Sequence, residues 1–238
     1  SKGMLGRVRD AVDASLKPDV LVLVLDRGEA TIGLVKSSGV DIQKIESNIG
    51  SGKYEGKVVD GKSDFYSDVH KALERSSVEE VSAVIIAGPG FEKDNFHRYL
   101  QGENAGFLEK VVLDSTGMGG RAGVNEVLKR ESFESVLGEI GAARDERLLA
   151  KILREIGVES GLAAYSLPDV RQACLAGAVE VLLLTDKFFT KKRGATEQLM
   201  MESKRMRGEV HVVNSEGEAG KQLDSLGGVA ALLRYPLG

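Results

Sequence analysis

DVLVLVLD at residues 19–26, ATIGLVKS at 30–37 and VDIQKIES at 40–47 decide the fold of the first half of this chain. The first run is apolar at every position between its two aspartates, as expected of a strand buried on both faces at the centre of a sheet. The two runs that follow after short connections predict a three-strand antiparallel meander. Ahead of them an amphipathic helix is predicted to end near Leu16, where Pro18 breaks its pattern.

Downstream, GSGKYEGKVVDG at 50–61 has four glycines, alternating charge and little apolar content, and reads as a mobile loop that reaches Lys62. A helix, DFYSDVHKALERS, is expected from Asp64, with Phe65, Val69 and Leu73 at helical spacing and Asp64 as its cap. VSAVIIAGPGF at 81–91 and EKVVLDSTGMGG at 109–120 are β-branched strand candidates separated by the helix-like DNFHRYLQG at 94–102. Strands alternating with helices imply parallel crossovers, so the first domain is a meander extended by parallel strands, with helices on its faces.

A glycine-rich turn then leads into VNEVLKR, and FESVLGEIGAARDERLLAKILREIG at 133–157 predicts a long amphipathic helix. Beyond residue 161 the expected order is helix (168–177), strand (179–186), helix (195–206), strand (209–215), helix (218–226) and strand (229–235), a compact three-layer α/β unit. The domain reading is a connecting helix at 1–17, a mixed-sheet domain at 18–132 and a second α/β domain at 133–238.

The 238 residues are 42% hydrophobic, enough for a sizeable core. With 32 basic against 36 acidic side chains, the net charge is −4, and neither half is a basic nucleic-acid arm. RNA contact would have to come from local basic clusters. The single cysteine, Cys174, falls in the helix-like PDVRQACLAGAVE, where a small apolar side chain suits a buried face. No internal disulfide can form, so a reducing cytoplasm is the expected location. No stretch has the length of a membrane span or signal peptide, and no membrane partner is expected.

The chemistry-bearing residues are sparse. Asp26 and Asp114 end strands and, with Glu126 on the following helix, are the candidate ligands for the divalent metal of an RNase H-type endonuclease. The competing reading makes them turn-forming aspartates that cap backbone groups. From Gly117, GMGGRAG reads GxGxxA, a partial dinucleotide fingerprint with no acidic ribose ligand at a following strand end; a tight glycine turn explains it as well. His70, His97 and His211 are scattered, and no GxSxG elbow occurs. No catalytic residue is assigned and no cofactor is expected, which favours a binding protein. GPGF, ending at Phe91, places an aromatic just after a strand, either as a rigid anchor for a partner or folded back as a core residue. Lys53, Lys57 and Lys62 in the glycine-rich loop, and KKRG at 191–194, are either phosphate contacts or solvated loop cations.

Taken together and in order, DVLVLVLDRGEATIGLV, DFYSDVHKALE, VIIAGPGFEKDNFHRYL, STGMGGRAGVNEVL, GAVEVLLLTD and LGGVAALLRYPL resemble the Pelota family, relatives of the class-one release factor in archaea and eukaryotes. The resemblance runs from about Val8 onward. It implies a release-factor-like, RNase H-like middle domain followed by a release-factor-like C-terminal domain. The implied function is ribosome rescue in no-go and non-stop decay. The family's PGF motif matches Pro89, Gly90 and Phe91, which would face the translational GTPase, elongation factor one alpha in archaea. The glycine-rich loop, with its three lysines, would contact ribosomal RNA or that GTPase. Release factors carry a GGQ before the helix matching DFYSDVHKALE; residues 50–62 contain no glutamine, so binding without peptide hydrolysis is implied. The C-terminal domain would meet the ABC-type ATPase that splits ribosomal subunits. The family's N-terminal Sm-like domain, which enters the decoding site, has no counterpart in these residues, so decoding-site recognition is not attributed to them.

Overall fold

The computed structural model describes residues 20–36, 39–46 and 61–237. The predicted N-terminal helix and most of the glycine-rich loop, with Lys53 and Lys57, lie outside the described residues. The chain divides into two compact units, Lys17–Ile140 and one that includes Gly141–Gly238.

In the first unit, β1 (Val20–Asp26) pairs antiparallel with β2 (Glu29–Lys36), and β2 with β3 (Gly39–Glu46), with Leu23 opposite Ile32 and Ile32 opposite Gln43. After helix α1 (Gly61–Arg75), β4 (Ala83–Ala87) runs parallel to β1 on its other side. Helix α2 (Glu92–Gly102) then leads to β5 (Val111–Leu113), parallel to β4, giving the order β3-β2-β1-β4-β5. This is the predicted meander extended by parallel strands.

β1 is central because both its faces are apolar, and the two differ in size. Leu21, Leu23 and Leu25 pack with Phe65, Val69 and Leu73 of α1 and with Phe96 and Leu100 of α2. Val20, Val22 and Val24 face Val124 and Val127 of α3 (Gly120–Val127) and Phe133 and Val136 from the start of α4 (Glu131–Gly157). On the valine side a Cβ at Gly33 would come within 2.7 Å of a Val124 methyl, so glycine lets α3 lie against β2. One boundary differs from expectation. α1 starts at Gly61, so Asp64 lies inside its first turn, where a carboxylate favours the positive end of the helix dipole, rather than at the cap.

In the second unit, β6 (Ala163–Ala164) and α5 (Leu167–Leu175) precede β7 (Val179–Thr185), which runs into α6 (Asp186–Lys191) and α7 (Arg193–Arg205). β8 (Glu209–Val213), α8 (Glu218–Ser225) and β9 (Val229–Leu233) complete a sheet of order β6-β9-β7-β8. Its β7–β8 pair is parallel and its β9 pairs are antiparallel. Leu182, Leu184, Val229 and Ala231 face Val170 of α5 and Leu199 of α7, while Val181, Leu183, Ala230 and Leu232 face Leu149 and Ile152 of α4 and Leu223 of α8. The three-layer reading holds. A bulge between Val179 and Val181 explains how Val179 shares a face with Leu182. The elements missed from the sequence are the short ones: β6, and α6, which begins where Thr185 Oγ1 accepts the Phe188 N–H at 3.1 Å. No described helix is long and apolar enough to cross a membrane.

Candidate partner-binding site

The C-terminal ends of β1, β4 and β5 lie side by side, the position from which open parallel sheets present binding loops. The loop after β4 is GPGF. Gly88 has φ +151°, and a Cβ on it would stand 2.1 Å from the Leu25 carbonyl oxygen, so the loop passes β1 at a distance only glycine permits. Gly90 has φ +66°. Phe91 is the N-cap residue of α2, its carbonyl accepting the Asp94 and Asn95 N–H groups at 3.1 and 3.0 Å, and it is 81% exposed. Of the two readings of Phe91, the structure has the exposed one; Phe96, one turn later, fills the core instead.

Two ties hold the loop. The Lys93 ammonium, on a side chain only 9% exposed as a residue, donates to the Gly90 carbonyl at 2.6 Å. Tyr66 Oη donates to Glu92 Oε2 at 2.7 Å, linking α1 to the first turn of α2, while its ring sits edge-on to Phe96 with centroids 5.5 Å apart. Burial, with the Glu92 carboxylate adding to it, pushes the Tyr66 phenol well above its ordinary range, so it stays a donor.

The loop after β5 is STGMGG. The Thr116 N–H donates to the Gly88 carbonyl at 3.3 Å, joining the two loops, and Thr116 Oγ1 donates to the Met118 carbonyl at 2.8 Å. The Glu126 carboxylate accepts the Gly117 N–H at 3.0 Å. Arg130 bridges Glu126 and Asp114, at 2.9 Å from Asp114 Oδ1, and Ser132 Oγ donates to Asp114 Oδ2 at 2.9 Å. The bond from Arg130, followed by the Gly117 N–H, holds the Glu126 carboxyl below the usual carboxylate range. Gly119 packs on Asp26, a Cβ there falling 2.7 Å from the Asp26 side chain, and Gly120 supplies the left-handed turn at φ +61°. Met118, at the tip, is 55% exposed.

These distances locate the candidate metal ligands. Asp114 and Glu126 do converge, but on the guanidinium of Arg130, and Asp26 abuts Gly119. Among the described residues no group of three or more His, Cys, Asp or Glu side chains is arranged to hold a metal ion. The partial dinucleotide fingerprint is a loop whose first glycine N–H is taken by its own carboxylate, where a phosphate would have to sit. Sequence reasoning missed Lys93, Met118 and Arg130; the i, i+4 pair Glu126/Arg130 in VNEVLKR was the available signal for the last. Lys62 falls in the first turn of α1. KKRG is a helix junction rather than a loop, with Lys191 ending α6 and Arg193 opening α7, where it pairs with Glu197 at 2.9 Å. Cys174 is buried with its Sγ 3.3 Å from Ser203 Oγ, and burial pushes the thiol up, as befits a packing role.

His211, on β8, is buried, with Nδ1 3.9 Å from Asp145 Oδ1 and Nε2 3.4 Å from Glu209 Oε2. Burial, and then the charge of Arg144, pushes the imidazole below its ordinary value of 6.5. A depressed base binds fewer protons folded than unfolded, so its contribution to stability is present above that value and is lost as pH falls through it. Asp145, pushed up by burial, acts with the opposite sign, its contribution lost as pH rises through its raised value. Between about pH 7 and about pH 5, urea unfolding is expected to show the wild type losing more stability than His211→Gln. Equal slopes would contradict the depressed imidazole.

A family model described as eRF1 domain 2 matches residues 19–139, and one described as eRF1 domain 3 matches residues 142–237. The archaeal Pelota in a model of ribosome-bound archaeal Pelota and ABCE1 is 37% identical, with a TM-score of 0.70 over 100% of this chain and 68% of that one. The chain belongs to the Pelota family. Archaeoglobus fulgidus Pelota, whose crystal structure reveals inter-domain structural plasticity, is 30% identical, with a TM-score of 0.63 over 99% of this chain and 70% of that one. The pelota homolog of Thermococcus onnurineus is 39% identical over 232 residues, 96% of this chain. The chain spans 65% of the length of that relative. Saccharomyces cerevisiae Dom34, a translation termination-like factor involved in RNA quality control pathways and interacting with Hbs1, is 27% identical, with a TM-score of 0.54 over 100% of this chain and 68% of that one.

Proposed function

We propose that this chain supplies the GTPase- and ATPase-binding domains of a ribosome-rescue factor. The factor is an adaptor rather than an enzyme. It docks a GTP-bound, elongation factor one alpha-type GTPase on a stalled ribosome and promotes subunit dissociation by the ABC-type ATPase without cleaving the peptide, in no-go and non-stop decay. The observation that carries this reading is Phe91, 81% exposed on a loop fixed by Gly88, Lys93 and the first turn of α2. A large aromatic carried into water on a fixed backbone is an anchor prepared for a pocket on another protein, because the cost of ordering that backbone has been met before binding. Family membership supports it: one Pelota relative is found with ribosome and ABCE1, and Dom34 interacts with Hbs1. The loop at 50–62 lacks the glutamine a release factor needs, in keeping with docking without hydrolysis. The mechanism is positioning, needs no cofactor and operates in the cytoplasm, where ribosomes are.

The test is calorimetric titration of this chain into an archaeal elongation factor one alpha loaded with a non-hydrolysable GTP analogue or with GDP. The expected result is saturable binding that is stronger in the GTP state. Heat indistinguishable from dilution with both nucleotides would overturn the proposal for these two domains.

A further inference from the structure

We infer that Met118 is a second anchor for the same GTPase, and that Asp114, Glu126 and Arg130 are positioning residues that present it. The inference rests on the Phe91 reading above and extends its surface to a second loop. The STGMGG loop is fixed at successive points. Asp114 is held by Arg130 and Ser132, Gly117 by Glu126, the Met118 carbonyl by Thr116 Oγ1, and Gly119 by its packing on Asp26. Gly123 lies close beneath, where a Cβ would come 2.4 Å from the Met118 carbonyl oxygen. Every one of these interactions uses the backbone of residues 117–119 or side chains other than that of Met118. None of these interactions requires the thioether, and the structure holds it 55% exposed at the end of a braced loop.

Its occupant follows from where it stands. The Thr116 N–H to Gly88 carbonyl bond joins this loop to GPGF, and both extend from adjacent parallel strands at the same end of the sheet. A protein that seats Phe91 in a pocket meets the neighbouring loop next. An unbranched, polarisable methionine suits a partner whose surface rearranges with its nucleotide, since it repacks without a change of backbone. An alanine or serine there would forfeit that contact, and a carboxylate would be buried without a partner.

The experiment compares the wild type, Phe91→Ala, Met118→Glu, Met118→Ser and Met118→Leu for binding to the GTP-loaded GTPase, with thermal unfolding of each chain alone. We expect Met118→Glu to weaken binding by at least about tenfold and Met118→Ser by several-fold, Met118→Leu to bind within about twofold of wild type, and all melting temperatures to agree. Arg130→Met is expected to slow association by loosening the loop, and Arg130→Lys to restore part of the rate. If Met118→Glu and Met118→Ser bind like wild type while Phe91→Ala does not, the inference fails and the adaptor reading stands. If Phe91→Ala is also silent while the wild type binds, the inference fails and the interface lies away from the PGF loop; only absence of wild-type binding overturns the adaptor reading. Should Met118→Glu lower the melting temperature, the Ser and Leu variants decide, since neither places a charge on the loop.

Discussion

A Gly88→Ala variant is expected to lose about 3 kcal/mol or more of stability, and most of its affinity for a GTPase with it. The new methyl would have to sit 2.1 Å from the carbonyl oxygen of Leu25, a backbone atom of the central strand that cannot step aside, and the residue would keep a φ of +151° that L side chains rarely adopt. Either the loop lifts off β1, breaking the Thr116 N–H to Gly88 carbonyl bond, or β1 shifts within a sheet packed on both sides. Gly90→Ala is the internal control. Its φ of +66° carries a backbone penalty of about 1–2 kcal/mol, but nothing lies within 4 Å of its added methyl. Chemical denaturation of the two variants side by side measures the difference. Equal losses would mean that the crowding at Leu25 is not what fixes this loop.

The second large effect is on binding alone. Phe91→Ala is expected to reduce affinity for the GTP-bound GTPase by at least about 2 kcal/mol, roughly thirtyfold, while shifting stability by no more than about 0.5 kcal/mol. The split follows from exposure: at 81% exposed, the ring contributes little to the fold and has its whole face free for a partner. Phe96, one turn further along α2 and fully buried among Leu21, Tyr66 and Leu100, should behave in the opposite way, its replacement by alanine costing about 3–5 kcal/mol. Wild-type affinity in Phe91→Ala would move the interface away from the PGF loop.

How much of this was legible in the sequence depended on the length of the signal. DVLVLVLD announced a central strand because six residues in a row, Val20 to Leu25, obey one rule, and the meander and crossovers followed from it. β6, two residues long, and α6, six, are too short for periodicity to register, and the sheet needs its partner β9 to define β6 at all. Asp26, Asp114 and Glu126 lie at neighbouring strand and helix ends as expected, but Asp114 and Glu126 bond to Arg130, sixteen residues from Asp114, whose reach only the packed α3 and α4 reveal, while Asp26 packs on Gly119. Phe91 and Phe96 are both aromatic and five positions apart. Phe96 shares the buried face of α2 with Leu100, whereas Phe91 is the N-cap residue, ahead of the helix, and which of the two enters the core is therefore decided by where the helix begins.

The alternation of leucine and valine along β1 has a further consequence. In most strands a slip by one residue is opposed by polarity, because it would carry charged side chains into the core. Here polarity registers such a slip at one point only, the aspartate that would arrive at the buried position of Leu25 or of Val20, because every other residue of the run is apolar. Along the rest of the strand what opposes it is bulk: leucines would arrive in the space that α3 and α4 leave for valines, beside the Gly33 gap, and valines would leave the opposite layer under-filled against α1 and α2. Steric volume, read on two faces at once, therefore joins the bounding aspartates as the gauge that stops β1 at the residue from which Leu25 meets Gly88 and Asp26 meets Gly119.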